Sequence, residues 1–237
     1  MEQKPLIVAI IPAREGSKRI PKKNIKLFCG KPIIAYSIEA AQHSKIFDKI
    51  IVSTDSNEIA KIARSLSAEV PFLRPQKLSD DYIGIREVIA HAVKWLWREG
   101  WKLNAVCCIY ATAPLFRPDD LIEAYKIFQR DKWNYVFSAT EYVYPIQRSF
   151  RVQKSGSIEM YFPENFSKRS QDLEKAYHDA GQFCWGKPEA WIENNLLFSE
   201  RSSILKIPAY RVVDIDTDED WKRAEIMYKV LEKEEKL

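Results

Sequence analysis

Continuous apolar runs alternate with amphipathic segments along most of this chain. A strand covered on both faces has no polar side, and runs of this kind predict strands at 6–11, 49–53, 105–110, 135–140 and 182–186. The segments between and after them predict helices at 32–44, 56–66, 84 or 85 to 98, 118–130 and 218–232. This alternation predicts an α/β fold, namely a Rossmann-like, mostly parallel sheet with helices on both faces and right-handed crossovers.

Residues 141–181 interrupt the alternation with aromatic residues, charges and isolated prolines. We interpret this stretch as an insertion within a single domain that spans residues 1–237. The insertion is expected to cover the ligand or to build a dimerisation contact between two copies of the chain.

The composition is that of a globular protein with little net charge. A hydrophobic content of 46% over 237 residues can fill a sizeable core, which argues against disorder. The net charge of +4 is too low to indicate a nucleic-acid partner. The apolar run at 6–11 is too short to cross a membrane and lacks the cleavage pattern of a signal peptide. The four cysteines match neither a zinc site nor a disulfide framework, so we expect a reduced, cytoplasmic protein without a membrane partner.

A strongly basic loop follows the first predicted strand. Seven cations lie between positions 14 and 31, and they are Arg14, Lys18, Arg19, Lys22, Lys23, Lys26 and Lys31. Ligands of open α/β sheets bind beyond the carboxyl ends of the strands, where this loop begins. Gly16 lets the backbone approach a ligand closely, and the cations suit a polyphosphate. A solvated, flexible basic loop is the alternative, and the spacing matches neither a Walker loop nor a dinucleotide fingerprint.

Two carboxylates precede the last predicted helix. The segment 212–216 alternates as a strand does, which puts Asp214 and Asp216 on one face, where both can reach a single Mg²⁺. Helix capping is the alternative role for these acids. Thr217 and Asp220, however, already have the spacing of a capping box, which leaves the pair free for a metal.

Six motifs in order along the chain resemble those of the acylneuraminate cytidylyltransferases. They are Pro12-Ala-Arg-x-Gly-Ser-Lys-Arg-Ile-Pro-x-Lys-Asn24, Ile51-Val-Ser-Thr-Asp55, Leu73-Arg-Pro75, Leu78-Ser-Asp80, Ala113-Pro-Leu115 before Arg117, and Asp214-Ile-Asp-Thr217. The resemblance covers nearly the whole chain. It implies a single nucleotidyltransferase domain, a homodimer, and an enzyme that couples CTP to an acidic nine-carbon sugar and releases pyrophosphate.

The resemblance also implies roles for individual residues. Those expected to bind the nucleotide are Arg14, Ser17, Lys18, Lys23, Asn24, Arg74 and Asp80. Asp214 and Asp216 are expected to hold Mg²⁺, with Arg14, Lys23 and Asp216 as the catalytic residues. The residues expected to bind the sugar are Arg148, Arg169, Tyr177 and Gln182.

Two further segments bear on the sugar. Tyr110-Ala-Thr-Ala-Pro114 and Ala180-Gly-Gln-Phe-x-Trp185 resemble the pseudaminic acid branch of the family, whereas sialic acid enzymes usually carry Gln-Pro in place of Tyr110 and Ala111. The resemblance therefore implies pseudaminic acid as the acceptor. Sialic acid and 3-deoxy-manno-octulosonic acid are alternative substrates. A nucleotide-sugar-dependent glycosyltransferase and a non-catalytic nucleotide-binding module are alternatives of other classes.

Overall fold

The computed structural model describes residues 4–80, 82–130, 132–193 and 195–234. Its strands are β1 (Leu6–Pro12), β2 (Leu27–Phe28), β3 (Lys31–Pro32), β4 (Lys49–Ser53), β5 (Leu103–Ile109), β6 (Tyr135–Glu141), β7 (Phe150–Val152), β8 (Ile158–Met160), β9 (Tyr177–Gly186) and β10 (Ser202–Lys206). Its α-helices are α1 (Ile33–Ser44), α2 (Asn57–Ser65), α3 (Ile85–Arg98), α4 (Pro118–Phe128), α5 (Pro188–Ile192) and α6 (Asp218–Lys233). None of these helices combines the length and apolar composition that a membrane span requires.

Six strands form one sheet in the order β10-β6-β9-β5-β1-β4. β1 pairs in parallel with β4 and β5, β6 pairs in parallel with β10, and only β9 runs antiparallel to its two neighbours in this sheet. Ile10 of β1 lies opposite Ile51 on one side and Cys108 on the other, so the three strands end at a common edge. The predicted mostly parallel sheet is confirmed.

Helices cover both faces of the sheet, as predicted. Ala9 and Ile11 of β1 pack with apolar side chains of α1, α2 and α4 on one face. Val8 and Ile10 point to the other face, where they pack with α3 and α5. All four side chains are fully buried, which explains why β1 is apolar at consecutive positions.

Several predicted boundaries differ from the structure. β9 begins at Tyr177, so the last residues of the predicted insertion belong to the main sheet. β10 and α5 had no counterpart among the predictions, because β10 is a half-exposed edge strand and α5 has five residues. The segment 212–216, whose residues alternate as a strand does, forms no strand and lies outside the sheet.

The predicted insertion contains a small separate hairpin. β7 and β8 pair with each other in an antiparallel sheet of two strands, and short 3₁₀ turns surround them. Its exposed apolar side chains include Phe150, Val152 and Ile158. The division of the chain into one domain with a dimerisation insertion stays a prediction.

Candidate active site

A cleft of about 460 Å³ opens at the carboxyl edge of the sheet, beyond the ends of β1 and β5. It is lined by every residue predicted to bind the nucleotide, namely Arg14, Ser17, Lys18, Lys23, Asn24, Arg74 and Asp80. Ile83, Ile85 and Val88 form an apolar side of the same cleft. The structure thus brings together residues from three separate motifs around a space that has both cationic and apolar walls.

The basic loop is held to the protein at several points. Asn24 donates a side-chain hydrogen bond of 2.8 Å to the carbonyl of Arg14, which closes the loop on itself. The backbone N–H of Glu15 donates to Oδ1 of Asp55 at 3.0 Å, and the fully buried side chain of Ile20 anchors the middle of the loop. Specific contacts therefore fix the shape of the loop. Such contacts disfavour the alternative of a flexible, solvated loop.

The acidic pair approaches this loop from the other end of the chain. Lys23 Nζ donates to the carbonyl of Ile215 at 2.7 Å and lies 3.3 Å from Oδ1 of Asp216. Arg19 makes a second ion pair with the same carboxylate at 2.7 Å. Asp216 itself does not line the cleft, but it binds two cations that do, so the acidic pair lies at the rim.

A small apolar cluster brings the basic loop and the segment 212–216 together. Val213 and Ile215 are buried in it together with Ile20, Phe28 and Trp221. Because Val213 and Ile215 point inward, the intervening Asp214 and Asp216 point outward, as a strand would arrange them. The predicted alternation therefore holds although the segment forms no strand.

The two carboxylates differ in their surroundings. Asp214 is exposed over more than a third of its surface, yet the protein around it removes enough water to raise the pKa of its carboxyl. The negative charge of Asp216 raises that pKa further, whereas Lys23 lowers it. Helix capping is carried out by Thr217 and Asp220, whose side chains each bond to the other's backbone N–H. The pair is thus available for another role.

The donor set of the pair suits a magnesium ion. Among residues 4–80, 82–130, 132–193 and 195–234, no three His, Cys, Asp or Glu side chains converge as a preformed metal cage would require. Mg²⁺ is usually held by one or two carboxylates together with substrate phosphates and water, rather than by a protein cage. Two carboxylates beside the basic loop therefore fit that ion.

Arg74 forms the floor of the cleft. It is 4% exposed, and its Nε donates to Oγ of Ser79 at 3.2 Å. Burial lowers the pKa of its guanidinium, while the nearby carboxylate of Asp55 opposes that shift. A buried guanidinium that lines the cleft can act as a fixed hydrogen-bond donor for a ligand. Asp80 contributes differently, because its Oδ1 accepts from two backbone N–H groups of the following turn.

The four predicted sugar residues do not line the cleft. Arg148 donates to the carbonyl of Lys168, and Arg169 is an exposed side chain paired with Asp172 at 2.8 Å. The hydroxyl of Tyr177 accepts from Lys206 at 2.7 Å. Gln182 is buried, and its amide donates to the carbonyl of Arg211 at 2.6 Å. Their contact with a sugar stays a prediction.

Residue-by-residue reasoning missed several groups near the site. Asp55 holds the basic loop and faces Arg74, and its position in a recognised motif was the available signal. Asp179 and Tyr110 lie near Asp214 at the end of the sheet; burial raises the pKa of both groups, and the charge of Asp214 adds to the effect. Tyr110 begins one of the two segments that resemble the pseudaminic acid branch and Asp179 directly precedes the other, so these segments were the available signal.

The pattern of the whole chain decides the family. The family model described as cytidylyltransferase matches residues 8–235. This chain belongs to the cytidylyltransferase family. Of the alternatives, a glycosyltransferase and a non-catalytic nucleotide-binding module have no support from this match.

Individual relatives agree with that assignment. The cytidylyltransferase is 46% identical over 223 residues to the pseudaminic acid cytidylyltransferase of Campylobacter jejuni, with 94% of this chain and 96% of the relative covered. It is 32% identical over 219 residues to the N-acylneuraminate cytidylyltransferase of Escherichia coli, covering 92% of this chain and 51% of that relative. The solved structure of a CMP:2-keto-3-deoxy-manno-octonic acid synthetase complexed with CTP superposes with a TM-score of 0.69 over 95% of this chain and 99% of the other. At 13% identity, this last likeness shows a shared fold.

Proposed function

We propose that this cytidylyltransferase transfers CMP from CTP to the anomeric hydroxyl of a nonulosonic acid, with pseudaminic acid as the preferred substrate, and releases pyrophosphate. The observation that carries the proposal is the contact of Lys23 with Asp216 at the rim of the cationic cleft, since it joins a polyphosphate site to a carboxylate pair. The relative from Campylobacter jejuni supports the choice of sugar.

The chain's own residues account for much of the transfer. Arg14 and Lys23 line the cleft and bind the phosphate oxygens, which neutralises the charge that grows as pyrophosphate leaves. The sugar hydroxyl attacks the α-phosphorus in line and loses its proton to solvent as the new oxygen–phosphorus bond forms. The bond from the α-phosphorus to the oxygen that bridges to the β-phosphorus breaks, and pyrophosphate leaves with that oxygen. Arg74 and the apolar side of the cleft hold the cytidine, so the reacting atoms are kept in position.

Mg²⁺ is the metal in this proposal, and Asp214 and Asp216 would hold it. The ion supplies charge neutralisation on the phosphates and orients them when it is bound. Val213 and Ile215 are buried in the apolar cluster, so Asp214 and Asp216 project on the other side, which supports a cation held by both carboxylates. A divalent ion between the two carboxylates would relieve their repulsion.

The acidic sugar is assigned to the insertion together with β9. Arg148 and Arg169 supply positive charge for the sugar carboxylate, with Tyr177 and Gln182 beside them. Because these residues do not line the cleft of a single chain, we place the sugar-binding insertion at a homodimer contact. The exposed apolar side chains of the hairpin support a dimer, since a patch of this kind marks an interaction surface.

The remaining partner and location assignments follow the same proposal. We expect a cytoplasmic enzyme with small-molecule substrates, without a nucleic-acid or membrane partner. All four cysteines are free in the described structure, which suits a reducing compartment. The modest net charge of +4 supports the absence of a nucleic-acid partner.

The decisive test of the function is pyrophosphate release from CTP and Mg²⁺ with a panel of acidic sugars. We expect turnover with nonulosonic acids and the highest kcat/KM with pseudaminic acid. Equal or better turnover with sialic acid or 3-deoxy-manno-octulosonic acid would contradict the proposed substrate. Transfer from a CMP-sugar to an acceptor, without pyrophosphate release from CTP, would contradict the proposed reaction.

The substitution Ile158→Lys is expected to weaken the dimer. Ile158 is 67% exposed on β8 and lies opposite the equally exposed Val152 of β7. Burying such a side chain contributes roughly 1.5–3 kcal/mol, so a charge there should raise the dimer dissociation constant at least about tenfold. Sedimentation equilibrium measures this constant. Ile226→Lys, at an exposed position of α6, is the matched control and should leave it unchanged. A monomeric wild type, or an unaffected Ile158→Lys dimer, would argue against this surface.

A further inference from the structure

The segment that carries the acidic pair has no sheet to hold it, so its position depends on side-chain contacts. Residues 212–216 lie between a short 3₁₀ turn and α6, outside every strand. At the far end of this segment, Lys23 binds the carbonyl of Ile215. At the near end stands Arg211, which is 5% exposed.

Arg211 is fixed by two separate elements of the fold. Its guanidinium makes a two-pronged contact with Asp120, at 2.5 Å from Nη1 to Oδ2 and 3.0 Å from Nη2 to Oδ1. Asp120 lies in the first turn of α4, where its Oδ2 also accepts the backbone N–H of Arg117. The carbonyl of Arg211 accepts the amide of Gln182 from β9. One residue is thus tied to both α4 and the central sheet.

We propose that Arg211, Asp120 and Gln182 are positioning residues that hold Asp214 and Asp216 in the geometry needed to share a divalent cation with CTP. This inference rests on the proposed function. Arg211 lies three residues before Asp214, so a displaced anchor moves the first carboxylate directly. The planar guanidinium fixes direction as well as distance, which a single lysine contact does not do.

Stability alone is a weaker explanation of this buried ion pair. Desolvating two charges offsets much of their attraction, and well-packed apolar residues often serve stability equally well. The ion pair is better explained by a need to hold the nearby carboxylates in precise positions. Replacing a residue that orients a metal ligand typically lowers metal affinity or activity about 10- to 100-fold.

The test compares Arg211→Lys and Asp120→Asn with the wild type. Both keep side-chain size close to the original, and the first keeps the charge. Binding of Mn²⁺ in the presence of CTP and without sugar is followed by electron paramagnetic resonance, and kcat is measured separately with the sugar. We expect the Mn²⁺ dissociation constant to rise about tenfold or more and kcat to fall by a similar factor. Glu69→Gln breaks a half-exposed ion pair with Lys49 on β4 and should change neither quantity.

Thermal unfolding shows whether each variant is folded. Folded Arg211→Lys and Asp120→Asn proteins with wild-type Mn²⁺ affinity and kcat would overturn the inference. Should both fail to fold, Gln182→Met removes one bond to Arg211 without leaving a buried charge, and the same rise in the Mn²⁺ dissociation constant is expected. An unchanged constant in folded Gln182→Met would also overturn it. A wild type that binds Mn²⁺ with CTP but transfers no CMP would contradict the proposed reaction, while the metal measurement still decides this inference.

Discussion

Replacing Asp216 with asparagine is expected to lower kcat about a hundredfold. Loss of one well-placed electrostatic contact at a reacting centre costs about 10²–10³ in kcat. Asparagine has nearly the same size, so the neighbouring Ile215 can stay in its apolar cluster. The substitution therefore removes charge from the pair proposed to hold the metal, with little change in packing.

The two kinetic constants should respond differently to this substitution. In the ligand-free protein, the Asp216 carboxylate pairs with Arg19 and Lys23, which line the same cleft. Asp216→Asn releases these cations for the triphosphate, so the KM for CTP should rise little while kcat falls. A general loss of structure would instead affect both constants.

Steady-state pyrophosphate release at saturating Mg²⁺ measures both constants. Asp218→Asn is the matched control, because this strongly exposed carboxylate lies two residues further along and pairs with Lys26. We expect near wild-type turnover from the control. Normal turnover in Asp216→Asn at saturating Mg²⁺ would refute the metal assignment.

The strands that sequence reasoning located well are those buried on both faces. β1, β4, β5 and β6 match their predicted ranges within two residues, because an uninterrupted apolar run leaves few other possibilities. β10 escaped prediction because its half-exposed positions mix serine and lysine with apolar residues. The antiparallel direction of β9 depends on pairing with β5 and β6, strands that are distant in sequence.

The residues that line the cleft include those predicted from local motifs, but their assembly was not predictable. The cations near position 14 and the carboxylates near position 214 each had a local signature. Their contact arises from burial of Ile20 and Phe28 against Ile215, which no local pattern indicates. Asp120 and Arg211 illustrate the same limit, since a capping acid and a lone arginine become a pair only in the folded chain.

Replacing Lys23 with methionine is expected to lower kcat/KM for CTP by at least about a hundredfold. Lys23 is four-fifths buried at the side chain, lines the cleft and donates to both Ile215 and Asp216. Methionine keeps much of the apolar stem and removes the charge that would meet the phosphates. Because the charge contributes to binding of CTP in the ground state, KM should rise. Because it contributes further in the transition state, kcat should also fall, by about 10²-fold as for other electrostatic contacts.

The neighbouring Lys22 provides a matched control within the same loop. Lys22 pairs with Glu58 at 2.6 Å and does not line the cleft, so Lys22→Met should leave both constants nearly unchanged. Wild-type kcat and KM for CTP in Lys23→Met would count against its role. Because Lys23 and Asp216 are in contact, the double variant should lose less than the product of the two single losses. Losses that multiply fully would show that the two side chains act independently, contrary to a shared site for the triphosphate and its cation.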